Sequence, residues 1–139
     1  MKLDLTNFEN AAASMEAALK AFRSCRSSSY SAEIQETVAA GVVQNFEVLY
    51  EMGWKFMKRW ITEKLGAAAV QGISRKELFR LAGENGFIDN VEDWILFHNL
   101  RNRTTHTYSS DRAEEVLDAS DDLLKASRKL LQAIAKDND

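Results

Sequence analysis

AEIQETVAAGVVQNFEVLYEMGWKFMKRWITEKL, residues 32–65, decides the fold. Ile34, Val38, Val42, Phe46, Leu49, Met52, Phe56 and Trp60 recur at steps of three and four, which puts them on one face of a single helix. At about 1.5 Å per residue the segment spans roughly 50 Å. A stripe of that length needs apolar partners along all of it, so the rest of the chain must supply helices to cover it. Gly53 interrupts the stretch, and a glycine inside a helix costs about 1 kcal/mol relative to alanine. Close approach by another helix accounts for it; simple tolerance accounts for it nearly as well. The chain contains no proline, so no residue obliges this helix to stop.

Working outward, SCRSSSYS (24–31) breaks the pattern on the N-terminal side, because small hydroxyl side chains compete for helical hydrogen bonds. Before it, Phe8, Ala12, Met15, Leu19 and Phe22 form a second helical stripe, with Thr6 and Glu9 spaced as a capping box. On the C-terminal side Gly66 and Gly72 punctuate a loop. Ser74-Arg75-Lys76-Glu77 opens a short helix that ends near Gly83, and GENGF (83–87) is a turn. Asp89 and Glu92 are placed to cap a third long segment carrying Val91, Trp94, Ile95 and Phe97. Tyr108-Ser109-Ser110 is the next break. Asp111 and Glu114 then cap a last helix with the stripe Val116, Leu117, Ser120, Leu123, Leu124, Ser127, Leu130, Leu131 and Ile134. Its acids come first and its cations last, which complements the helix dipole. No segment has strand periodicity. The expected fold is all-α: an antiparallel up-and-down four-helix bundle with one extra short helix, as a single domain over residues 1–139.

The composition agrees. Apolar residues make up 45% and charged residues 28%, the balance of a globular protein with one core. The net charge is −3, so a grip on nucleic acid would need a local basic patch. Cys25 is the only cysteine, which rules out an intrachain disulfide and suits a reducing compartment. The stretch MKLDLTNFENAAASM is acidic and amphipathic, unlike a secretory leader, and no long apolar run could span a membrane. A cytoplasmic location is expected.

Five candidate chemistries follow. His98, Asn102 and His106 share a helical face, but His98 and His106 are about 12 Å apart by helical rise, too far for one zinc with bonds near 2 Å. No metal and no cofactor are expected. Asp118, Asp121 and Asp122 read as a solvated, dipole-favoured face. WKFMKRW (54–60) interleaves aromatics with Lys55, Lys58 and Arg59. Phe56 and Trp60 belong to the core stripe and Glu51 can pair with Lys55, which leaves a basic edge for a polyanion. There is no glycine-rich phosphate loop or dinucleotide fingerprint, which excludes a self-sufficient kinase, ATPase or nucleotidyltransferase of the common types.

The fifth is LRNRTTHTY (100–108). As a helix end, it places Arg101, Arg103 and His106 where cations favour the dipole, and its three threonines suit fraying. As a site, His106 can move protons near neutral pH and Arg101 can grip phosphate with a fixed fork of donors. Together they suffice for metal-free RNA cleavage. Residues five apart on a helix diverge by about 140°, so Arg101 and His106 converge only if the helix ends between them or a second chain contributes. On residues alone the helix-end reading is favoured.

The order of motifs shifts that balance. Arg101-Asn102-x-x-x-His106-x-Tyr108 resembles the signature of the HEPN family, in the branch called nucleotidyltransferase substrate-binding protein. Phe46-Glu47, Tyr50-Glu51 and Trp54-Lys55 resemble that branch's long second helix. Ser74-Arg75-Lys76-Glu77, Phe87-Ile88-Asp89 and Trp94 resemble its middle region, and Ala113-Glu114-Glu115-Val116 continues the likeness. It covers roughly residues 8–130. Gly53 departs from a usual small non-glycine residue, and Thr105 from a frequent serine. The resemblance implies a helical bundle that forms homodimers with the motif near the dimer interface, and a minimal nucleotidyltransferase partner, with a larger hetero-oligomer among the outcomes. It implies Arg101 and His106 as catalytic residues in members that are ribonuclease toxins, Asn102 and Tyr108 as binding residues, and Tyr108 as a target of modification by the partner. The expected function is a substrate- or nucleotide-binding subunit acting through the Arg101–Tyr108 face. The alternative is a metal-independent ribonuclease neutralised by its partner.

Overall fold

The structure, a computed structural model, describes the backbone of residues 2–104 and 110–138 and the side chains of 2–103 and 114–138. His106 and Tyr108 lie outside the described residues. The elements in chain order are α1 (Thr6–Arg26), α2 (Ala32–Leu65), a 3-10 turn (Ala67–Val70), α3 (Arg75–Glu84), α4 (Val91–Thr104) and α5 (Ser110–Asp137). No strand occurs among the described residues.

Contacts along the helices fix their directions. Phe8 stacks on Phe56 at 5.3 Å and Ser14 donates to Asn45, so α1 runs antiparallel to α2. Gly53 faces Trp94 and Tyr50 faces His98, so α4 runs antiparallel to α2. Ion pairs join α1 to α5 in reverse order: Glu16 with Arg128, Arg23 with Asp121 and Arg26 with Glu114. The result is the expected up-and-down bundle, with α3 as the extra helix beside α2 and α4. The acids early in α5 therefore face α1 cations as well as favouring the dipole; such exposed pairs contribute little stability each.

The long α2 has the bounds its sequence predicts, and Ser31 caps it by accepting from the Ile34 N–H. Its burial is wider than the predicted stripe. Tyr50, Gly53, Met57 and Ile61 are buried alongside Val42, Phe46, Leu49, Phe56 and Trp60, because α2 packs against α1 and α5 and also against α3 and α4. Ile34, the first residue of the predicted stripe, is exposed. In α5 every residue of the predicted stripe is buried, including Ser120 and Ser127. The Ser120 hydroxyl donates to the Val116 carbonyl one turn back.

Local details correct the sequence reading at three points. Thr6 and Glu9 do not form a capping box; the Asp4 carboxylate accepts from both the N–H and the hydroxyl of Thr6. A carboxylate two residues before the first orphan amide reaches it better than Thr6, which is already helical. Asp89 makes no capping hydrogen bond to α4 among the described residues: its carboxylate lies 3.8 Å from Lys129, and the Trp94 N–H donates to the backbone carbonyl of Asn90. The loop after α2 holds a 3-10 turn between Gly66 and Gly72, both at positive φ.

Two turns set the position of α3. Ser74 caps it, accepting from the Glu77 N–H at 3.2 Å. At its far end Gly86 takes φ 74° and the Phe87 N–H reaches back to the Ala82 carbonyl at 2.9 Å. This is a Schellman closure, and Phe87 then packs on Trp60 with ring centroids 4.6 Å apart. With both ends tied, α3 holds Arg75 against α2.

Candidate functional site

Arg101 and Asn102 occupy the last turns of α4. Arg101 is turned inward: its side chain is 22% exposed and its Nε lies 3.7 Å from Glu51 Oε1. Arg103, two residues on, is 48% exposed and pairs with Glu115 of α5 at 2.7 Å. The two arginines of the motif therefore belong to different surroundings. Glu51 accepts from Trp54 Nε1 at 2.9 Å and also lies 3.9 Å from Lys55, the pairing expected from their spacing. Beside Arg101 is a cavity of about 290 Å³ with Val48 and Met52 as apolar wall and Gln44, Glu47, Glu51 and Lys55 as polar rim.

Behind Arg101 runs a chain of hydrogen bonds. Arg75 Nη1 donates to the Tyr50 hydroxyl at 3.2 Å, the hydroxyl lies 2.9 Å from His98 Nδ1, and Asn102 Nδ2 lies 3.3 Å from His98 Nε2. Arg75 is also laid over the Trp54 ring, 3.7 Å from its centroid. Burial pushes the Tyr50 hydroxyl up to about 12, against the pull of Arg75, so it stays protonated. Burial, with the fields of Arg75 and Lys76, holds His98 below the ordinary histidine value, and Glu51 opposes this. His98 is thus neutral near pH 7.

Tyr50, Arg75 and His98 were not candidates by residue type and spacing. Tyr50 lies just off the predicted stripe, Arg75 stood only as part of a cap, and His98 was weighed only as a metal ligand. The usable signal was that Tyr50-Glu51, Trp54-Lys55 and Ser74-Arg75, three of the stretches carrying the resemblance, converge on the end of α4. The basic edge of WKFMKRW also exists. Lys55, Lys58 and Arg59 line a groove of about 440 Å³ with Trp54 and Thr62, and Arg59 lies over Phe56 at 5.0 Å. Phe56 and Trp60 are buried in the core as expected.

Residues 3–136 match the family described as nucleotidyltransferase substrate binding protein like. The chain belongs to that family. A relative named probable ribonuclease HepT, from Haemophilus influenzae, is 32% identical over 106 residues, 76% of this chain and 73% of the relative. A solved structure from Haemophilus influenzae, described as revealing the fold of a substrate binding domain of a nucleotidyltransferase, superposes with TM-score 0.86 at 28% identity. It covers 95% of this chain and 99% of its own. A Thermus thermophilus protein shares the fold at TM-score 0.62 and 22% identity, covering 86% of this chain and 98% of its own. No helix among the described residues is long and apolar enough to cross a membrane. Membership gives the family's helical fold and a nucleotidyltransferase as the associated protein.

Proposed function

We propose that this chain, as one domain over residues 1–139, is the helical, substrate- or nucleotide-binding subunit of a two-component nucleotidyltransferase pair in the cytoplasm. It would engage its partner and a nucleotide through the face built by Arg101, Asn102, His106 and Tyr108. The observation that carries this reading is the family match over residues 3–136, nearly the whole chain. The cationic surroundings support it: Lys55 and Arg101 flank Glu51, and the fields of Arg75 and Lys76 reach His98 of α4, a setting that favours an anion near the end of that helix. The test is co-purification with a small nucleotidyltransferase encoded beside this chain, followed by calorimetry. Association at micromolar concentration or tighter supports the proposal, and no association at those concentrations overturns it.

The second reading is a metal-independent ribonuclease, favoured by the relative named probable ribonuclease HepT. Here Arg101 would hold the phosphate, His106 would act as general acid–base, and two copies of the motif in a homodimer would complete one site. Tyr108 would be the residue its partner modifies. RNA cleavage in EDTA, lost in both Arg101→Ala and His106→Ala, supports this reading; cleavage that survives either change ends it.

A further inference from the structure

We propose that the groove along the C-terminal half of α2 is a docking track for a single-stranded polynucleotide, held by Lys55, Lys58 and Arg59. No described residue of the Arg101–Tyr108 motif lines this groove, and its role stands whether or not the chain cleaves RNA.

Helical spacing builds the track. Gln44, Val48, Glu51, Lys55, Lys58 and Thr62 recur at steps of three and four, so they lie along one side of α2. They line two hollows that share Lys55: the cavity of about 290 Å³ beside Arg101, and the groove of about 440 Å³ that reaches Thr62 and Glu63. From Gln44 to Thr62 the helix rises about 27 Å. That length suits an extended chain better than a compact ligand.

The charge is arranged for an anion. Three cations, Lys55, Lys58 and Arg59, share the groove lining with one carboxylate, Glu63. On the α1–α5 side the arginines are committed to acids: Arg23 to Asp121, Arg26 to Glu114 and Arg128 to Glu16. Among the described residues no ion pair engages Lys58 or Arg59, and Lys55 has only the long 3.9 Å contact with Glu51. On a chain of net charge −3 this is a local excess of positive charge.

The lining is not only basic. Leu3 and Trp54, both half-buried, add apolar surface to the same groove. Trp54 is held in place by Arg75, 3.7 Å from its ring centroid, and by Glu51, which accepts from Nε1 at 2.9 Å. A fixed apolar wall beside cations one helical turn apart can take base faces and phosphates together. An acidic peptide would use the cations alone.

The test is fluorescence anisotropy of a short, labelled 2′-O-methyl oligouridylate with the full chain in EDTA. The 2′-O-methyl group blocks attack by the 2′ oxygen, so binding is read apart from any cleavage. Affinity for the native chain should fall with salt at a log–log slope of about −2, from three phosphates at about −0.7 each. Lys55→Gln, Lys58→Gln and Arg59→Gln combined should weaken binding at least about tenfold and remove most of that slope, with helical circular dichroism unchanged. The charge-matched combination Lys125→Gln, Lys129→Gln and Lys136→Gln on α5 should stay within about twofold of native. No binding by the native chain, or equal losses in the two combinations, overturns the proposal. So does an oligoglutamate that competes as well as unlabelled oligouridylate, which would make the groove a seat for an acidic protein segment. Failure to associate with a nucleotidyltransferase would end the proposed function and leave the anisotropy result to decide the track.

Discussion

Gly53 meets the indole of Trp94 so closely that a Cβ there would lie 2.6 Å from Cη2. The helix-breaking tendency of this glycine is offset by letting α4 approach α2, as one of the two sequence readings supposed. Trp94 cannot turn aside, because it is fully buried and packed against Phe79 at 5.7 Å and Phe97 at 5.5 Å. Alanine at position 53 gains helix propensity but overpacks the α2–α4 contact. Gly53→Ala should destabilise the fold by about 1–3 kcal/mol in urea unfolding. Trp94→Phe in the same chain should recover part of that loss, giving a clear coupling between the two positions. Simple additivity would show that the contact is not the cause.

The raised Tyr50 hydroxyl makes a prediction at high pH. Its folded value, about 12, exceeds the ordinary tyrosine value near 10. The protonated phenol is therefore favoured by folding, and its contribution is complete below about pH 10 and lost as pH rises toward 12. The melting temperature of the native chain should fall more steeply between those limits than that of Tyr50→Phe. Equal slopes would place the alkaline loss elsewhere.

For His98 the sign runs the other way along the pH axis. Its folded value lies below the ordinary one, so the unfolded chain binds the proton first. The stability associated with neutral His98 is complete above about pH 6.5 and declines as pH falls from there toward the lower folded value. The native chain should lose stability on going from pH 7 to the low sixes and fives, and His98→Gln should lose less over that range. Thermal scans across it decide the matter.

Much of this architecture is legible in the sequence because helices announce themselves by period. The bounds of α2, the breaker before it, the Ser74 cap and the α5 stripe all rest on local pattern. What stayed hidden depends on neighbours distant in the chain. Tyr50 reads as surface by the single-stripe pattern, yet α3 and α4 bury it. Trp94 explains Gly53 only once α4 lies antiparallel to α2. His98 could be weighed only as a metal ligand, because its actual partners, Tyr50 and the Arg75 behind it, are 48 and 23 residues away. The Thr6 capping box failed for a smaller reason, since Asp4 reached the same amide first.

Arg75 provides a test of side-chain shape. Its guanidinium lies over the Trp54 ring at 3.7 Å and donates to Tyr50, two tasks that an ammonium cannot combine. Arg75→Lys should therefore behave nearly as Arg75→Ala does. Both should lose about 0.5–2 kcal/mol of stability and change the Trp54 fluorescence. A lysine that restores native stability would show that charge alone suffices.

The two arginines of the motif should separate cleanly. Arg101 is turned toward Glu51 and the cavity beside Met52, while Arg103 faces Glu115 of α5 near solvent. Removing Arg103 deletes one exposed ion pair, which alters little. Removing Arg101 deletes the fork of donors beside Asn102 and leaves Glu51 to repel any incoming anion. Arg101→Ala should weaken association with the nucleotidyltransferase, or cleavage of RNA, by at least about tenfold, while Arg103→Ala stays within about twofold of native. Both variants should keep their helical circular dichroism. Equal losses in the two would mean that net positive charge at this end of the bundle matters and the inward placement of Arg101 does not.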